Sequence, residues 1–272
     1  TEPLDNFLDS SKYDGFMIRD DSISNSDLYY LTGFEASDPF IYLRKDREST
    51  LIVPQLEFSR AKEEANVDQV LSTSEFEKGE SRDREATKLD IIESLLDRFE
   101  IDKLAVPSDF ELGLADRLRE TEIQIEAISD KVMEAREIKN PEEIEKLRKA
   151  QITTEKAMEK AKKIIETATV EEDKLHYENE VLTSEKLKKE IKLFLFEKSC
   201  EVPHETIVAS GKESAKPHST GKGPIEAGKP VVIDIFPKHE NRYFGDMTRT
   251  FVKGTASEEV NSMKKAVLEA QR

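Results

Sequence analysis

The chain has few of the residues that staple, kink or break a fold. In 272 residues it has one cysteine (Cys200), no tryptophan, ten glycines and ten prolines. A single cysteine excludes an intramolecular disulfide framework and any zinc site built on cysteine pairs. It fits a reducing compartment, so the expected location is cytoplasmic. No apolar run approaches the roughly 20 residues of a membrane-crossing helix, and residues 1–7 lack a basic-then-apolar leader pattern. Positive charge is also in deficit: 42 Lys and Arg face 58 Asp and Glu, for a net charge of −16. A surface of that sign repels a phosphate backbone, so neither nucleic acid nor a membrane is an expected partner. Gly-rich phosphate loops and a Gly-x-Ser-x-Gly nucleophile elbow are missing too.

The chain is nonetheless patterned to fold. Hydrophobic residues make up 36% and charged residues 37%, yet the apolar positions are periodic rather than sparse. At roughly 100–200 residues per domain, the length predicts about two domains. Gly15-Phe16-Met17-Ile18, Phe40-Ile41-Tyr42-Leu43, Leu51-Ile52-Val53 and Leu104-Ala105-Val106 are short branched or aromatic runs that read as buried strands. Tyr29-Tyr30-Leu31 reads as a further strand that turns at Gly33. Leu89, Ile92, Leu95, Leu96 and Phe99 fall at helical spacing. Strands and helices in this rhythm predict a small three-layer α/β domain.

The texture changes near Arg136. Asn140-Pro141-Glu142-Glu143 is a helix start with a capping box and proline at the first position, and an apolar stripe from Leu147 to Ala168 continues it. Thr169-Val170-Glu171-Glu172 repeats the capping pattern and predicts a second helix through Leu175, Leu182 and Leu187. The lysines between Lys186 and Lys192 read as its wet face. Thr206–Gly211, Val231–Ile235 and Tyr243–Val252 read as strands, and Ser257-Glu258-Glu259 caps a last helix. The change of texture places the domain boundary within 130–138, giving domains 1–133 and 134–272.

Two places could carry chemistry. Asp234 follows three branched residues in Val231-Val232-Ile233-Asp234-Ile235, and Asp246 lies on the far side of a hairpin in Gly245-Asp246-Met247-Thr248-Arg249-Thr250-Phe251. A carboxylate inside a strand is costly to desolvate, and two of them on neighbouring strands repel. A divalent cation resolves that conflict. The competing reading pairs Asp234 with Arg249 or a lysine and leaves Asp246 to shape a turn. His218 follows a proline in a Gly/Ser-rich loop upstream of Asp234; it is either an exposed loop histidine or a group that steadies developing negative charge. His176, His204 and His239 read as solvated or structural, and Cys200 as a small buried residue.

These motifs resemble the Xaa-Pro peptidases, prolidase and aminopeptidase P, which share a pita-bread catalytic fold with methionine aminopeptidase and creatinase. Leu28-Tyr29-Tyr30-Leu31-Thr32-Gly33-Phe34, Leu51-Ile52-Val53-Pro54 and Arg60-Ala61 are similar to the creatinase-type N-terminal domain, and Arg136–Ile144 to the entrance of the catalytic domain. The Asp234 to Phe251 segment is the most specific match. The resemblance implies an α/β (α+β) chain: a creatinase-like three-layer N-terminal domain, then an incomplete pita-bread metallopeptidase domain. It implies two divalent metal ions, manganese or cobalt, with zinc or iron as alternatives. Asp234 matches the ligand of one ion, Asp246 the carboxylate that bridges both, and His218 a substrate-contacting histidine outside the metal shell. The implied substrate is a proline-containing dipeptide or peptide, and the implied assembly a homodimer. No motif matches the family's remaining His and two Glu ligands, so the chain is expected to be C-terminally truncated and inactive alone. The alternative function is a non-catalytic pita-bread binding scaffold.

Overall fold

Strands whose residues are apolar on both faces need a helical layer on each side, and the first part of the chain supplies both. The computed structural model describes residues 2–76, 84–121, 123–128 and 131–272. The chain divides into two units, Thr1–Ile138 and Lys139–Arg272.

In the first unit the order is α1 (Glu2–Ser10), β1 (Gly15–Asp20), α2 (Ser26–Thr32), β2 (Phe40–Lys45), β3 (Glu48–Val53), α3 (Phe58–Glu64), β4 (Gln69–Ser72), α4 (Arg84–Arg98), β5 (Lys103–Pro107), α5 (Leu112–Arg119), β6 (Gln124–Ile128) and α6 (Lys131–Glu137). The strands form one mixed sheet in the order β4-β3-β2-β1-β5-β6. Its β1–β2 and β2–β3 pairs are antiparallel, and the outer pairs parallel. Alternate residues feed two cores. Phe16, Ile18, Phe40, Tyr42 and Leu51 pack with Leu4, Leu28, Leu31 and Val132. Met17, Ile41, Leu43 and Ile52 pack with Ile92, Leu95, Leu114 and Leu118 of α4 and α5. Helices therefore cover both faces, giving three layers. Residues 133 and 134 both lie within α6, which belongs whole to this unit.

The Tyr29-Tyr30-Leu31 segment corrects the strand expectation: it lies in helix α2. Asn25 Oδ1 accepts from the Leu28 N–H at 2.9 Å as N-cap, and Gly33, at φ 63, donates its N–H to the Tyr29 carbonyl at 2.7 Å. The cap and the left-handed closure outweigh the strand preference of two adjacent tyrosines.

The second unit runs α7 (Pro141–Thr167), β7 (Thr169–Glu171), β8 (Lys174–Tyr177), β9 (Glu180–Val181), α8 (Ser184–Phe196), β10 (Cys200–Glu201), β11 (Ile207–Ser210), β12 (Pro230–Ile235), β13 (Lys238–His239), β14 (Met247–Val252) and α9 (Glu258–Ala270). The expected capping box forms: Asn140 and Glu143 exchange side-chain-to-backbone bonds of 2.9 and 3.0 Å. The helix expected from Thr169 does not. Glu172 and Asp173, then Glu178 and Asn179, all have left-handed φ values of 49–62°. Each pair forms a two-residue hairpin turn, so the segment is a meander of β7, β8 and β9. His176 accordingly lies in a strand, and the helix begins only at Ser184, capped by Thr183. Lys188 is a second departure: it is 7% exposed, and its Nζ donates to Glu205 at 2.7 Å and to the Gly221 carbonyl at 3.2 Å. Cys200 is buried as expected, and burial pushes its thiol up.

Tyr42 is fully buried, and among the described residues its hydroxyl has no hydrogen-bond partner. Burial pushes the phenol up to about 12 against the pull of nearby Arg44. Below pH 10 the folded and unfolded chains both keep the proton; above it the unfolded chain releases it first, so stability falls as pH rises from 10 toward 12. Tyr42→Phe should be more stable than the parent at pH 8 by about 1 kcal/mol, since no hydrogen bond is lost. Between pH 8 and 11 the parent should lose about 1 kcal/mol more than the variant. Urea unfolding at both pH values measures the two differences, and a variant less stable at pH 8 would contradict the account.

Candidate metal centre

The sheet β11-β12-β14 carries Asp234 in β12, and Asp246 lies at the entry to β14. Its strands are antiparallel, with Ile207 opposite Asp234 on one side and Thr248 opposite Asp234 on the other. Val208, Val231, Ile233 and Ile235 point into the core, where they meet Ala157, Ala161 and Ile164 of α7 and Leu187, Ile191 and Leu195 of α8. Strand alternation then turns Val232, Asp234, Thr248 and Thr250 to the opposite face. Asp246 directly precedes β14, two residues before Thr248, so the same pleat returns it toward that face.

Helix α7 fixes where this strand begins. Residues 236–246 leave β12, form β13 against β10, and come back along the helix. Tyr243 Oη donates to Glu143 Oε1 at 2.9 Å, and Asn241 Nδ2 donates to the Lys146 carbonyl at 2.9 Å. The Asp246 N–H donates to Gln151 Oε1 at 3.1 Å. Gly245 sits so close to the helix that a Cβ there would lie 2.1 Å from Thr154 Oγ1 and 2.8 Å from the Ala150 carbonyl oxygen. Glu143 serves twice, in the capping box and as the acceptor for Tyr243. The strand expected from Tyr243 starts only at Met247: residues 240–246 turn back on residues 237–239, with the His239 N–H donating to the Tyr243 carbonyl and the Gly245 N–H to the Pro237 carbonyl, and are tied to α7 through Tyr243, Asn241 and Asp246.

The carboxylates are less enclosed than strand position alone predicts: Asp234 is half-buried and Asp246 exposed. Among the described residues, the helices of this core, α7 and α8, lie on the other side of the sheet from Asp234. Thr248 Oγ1 donates to Asp234 Oδ1 at 2.6 Å. Among the described residues no basic side chain lies within ion-pair distance of either aspartate; Arg249, opposite Ile233, donates instead to the Thr248 carbonyl. Two unneutralised carboxylates are hard oxygen donors suited to divalent cations, which take six or more oxygens. They fit part of such a site. Among the described residues no third His, Cys, Asp or Glu joins them in a metal-binding group.

His218 is exposed, with a left-handed φ of 62°. Its loop is tied to β11 by the Val208 N–H, which donates to the Thr220 carbonyl at 3.1 Å. Among the described residues no hydrogen bond or ion pair joins His218 to Asp234 or Asp246. His239 lies in β13, where its Nδ1 accepts from the Asn241 N–H at 3.2 Å. His204 is exposed beside Phe236, with ring centroids 6.2 Å apart. Gln151, Thr154 and Gly245 had no signal in the sequence, since their role depends on a contact across more than ninety residues.

Two family models divide the chain as the fold does: the creatinase/prolidase N-terminal domain matches residues 2–138, and metallopeptidase family M24 matches residues 145–272. The Xaa-Pro dipeptidase of Pyrococcus horikoshii is 30% identical over 98% of this chain and 67% of its own length. The chain belongs to metallopeptidase family M24. The Xaa-Pro dipeptidase of Pyrococcus furiosus is likewise 30% identical, over 100% of this M24 chain and 69% of its own length. The crystal structure of the P. horikoshii prolidase superposes with a TM-score of 0.76 at 26% identity, covering 99% of this chain and 69% of that one. The chain thus spans about two thirds of the length of these relatives. Its two units are the creatinase-type α/β domain and a pita-bread metallopeptidase domain, as the sequence motifs imply, and the family is one that uses divalent metal ions. No helix among the described residues is long and apolar enough to cross a membrane.

Gly245→Ala should cost the second unit about 1–3 kcal/mol, because the new methyl meets both the backbone and a side chain of α7. Gly113→Ala, with nothing within 4 Å of the new Cβ, should be neutral or stabilising by about 0.5–1 kcal/mol in its helix. Urea denaturation of both variants checks the contrast; equal stabilities would show that the approach of Gly245 to α7 is not tight.

Proposed function

We propose that the protein hydrolyses the peptide bond between a residue Xaa and a following proline, as an Xaa-Pro dipeptidase or aminopeptidase, with two divalent cations, manganese or cobalt. The supporting observation is that β12 carries Asp234 opposite Thr248 of β14 and Asp246 directly precedes β14, in a family M24 chain where, among the described residues, neither aspartate has a basic partner. Bound cations of this kind polarise a carbonyl and lower the pKa of water toward neutrality. Asp234 would hold one cation and Asp246 both. His218 would meet the substrate and donate to the oxygen on which negative charge develops. Two carboxylates fall short of a full donor set, and the family pattern adds a His and two Glu that no motif in these 272 residues matches. Both relatives at 30% identity are dipeptidases, so an Xaa-Pro dipeptide is the substrate to test first. We further place the enzyme in the cytoplasm, as a homodimer.

Release of proline from Leu-Pro by the native gene product, with and without Mn2+, tests this reading. Asp246→Ala should abolish metal-dependent turnover while the first unit stays folded. His218→Ala should keep its metal and lose roughly two to three orders of magnitude in kcat, the usual cost of an oxyanion donor. Unchanged turnover in Asp246→Ala would refute the site.

A further inference from the structure

We infer that Thr248 is a positioning residue that presets the Asp234 carboxylate for a cation, an inference that rests on the metal reading of Asp234 and Asp246. Thr248 faces Asp234 directly across the β12–β14 ladder, and its hydroxyl donates to Asp234 Oδ1 at 2.6 Å. The residue is exposed, so its hydroxyl has water available and is not driven to this contact by burial. A β-branched side chain in a strand has few χ1 choices, which makes the hydroxyl a fixed donor rather than a searching one. An ionised carboxylate offers about four lone-pair sites on two oxygens. One hydrogen bond therefore restrains its rotation while leaving the second oxygen entirely for a cation. Such outer partners are worth roughly 10–100-fold in metal affinity where a histidine or carboxylate ligand depends on them. The companion threonine, Thr250, stands opposite the apolar Val232, so the polar pairing is specific to the position of Asp234.

The test is Mn2+ binding, followed by loss of the free-ion EPR signal, in the native gene product and three variants of it. Thr248→Val keeps shape and strand preference but removes the hydroxyl, and should weaken Mn2+ binding roughly tenfold or more with an unchanged thermal unfolding midpoint. Thr248→Ser restores the donor and should bind within about threefold of the parent, which a merely structural role would not require. Asp234→Asn should weaken binding at least as much as Thr248→Val. If Thr248→Val binds as tightly as the parent while Asp234→Asn does not, the positioning role is overturned and the metal site stands. If Asp234→Asn also binds like the parent, or the parent binds no Mn2+, the metal reading falls and the inference with it.

Discussion

The antiparallel register between β12 and β14 is the constraint on which the site depends. It sets Thr248 against Asp234 and brings the chain into β14 directly after Asp246, while Ile233 and Ile235 remain in the core. A slip of β12 by one residue would send Asp234 into apolar packing and both isoleucines to the opposite face. The core thus enforces the position of the acids without touching them. Helix α7 enforces it a second time from the side, through Glu143, Lys146, Gln151 and the contact with Gly245.

The two units solve the problem of a buried sheet differently. In the first, every central strand is apolar on both faces, and six strands lie between two helical layers. In the second, the helical core among the described residues lies on one face of the three-stranded sheet, and the opposite face keeps aspartate and threonine. A strand that alternates Val, Ile and Asp can serve only the second arrangement. Val231–Ile235 is therefore as informative about architecture as about chemistry.

Much of this was legible from residue patterns. The four apolar runs became β1, β2, β3 and β5, and Asn140-Pro141-Glu142-Glu143 became the capped start of α7. The failures have physical causes. Thr169-Val170-Glu171-Glu172 carries a helix cap signature, but the left-handed pairs that follow it close hairpins, and neither pair contains the glycine that marks such turns. Tyr29 and Tyr30 look like strand residues, but Asn25 and Gly33 cap them into a helix. Lys188 looks like part of a solvated run, yet one position in that helix faces the Gly221 loop. Asp234 stood out as a candidate because an acid inside a branched run is anomalous; the α7 contacts did not, because nothing in Gln151 or Thr154 alone points to a partner so distant in sequence. The expected enclosure of Asp234 overestimated burial because strand pattern reports which face a residue takes, not what covers that face.

The central claim is that Asp234 and Asp246 are held together for divalent cations. Diffraction from crystals of the protein grown with Mn2+, collected at the manganese absorption edge, addresses it directly. The account predicts anomalous density within bonding distance of carboxylate oxygens from both residues, about 2.0–2.3 Å away as hard oxygen donors require. Density elsewhere with none between these two side chains, or the two carboxylates turned apart onto basic neighbours, would contradict it.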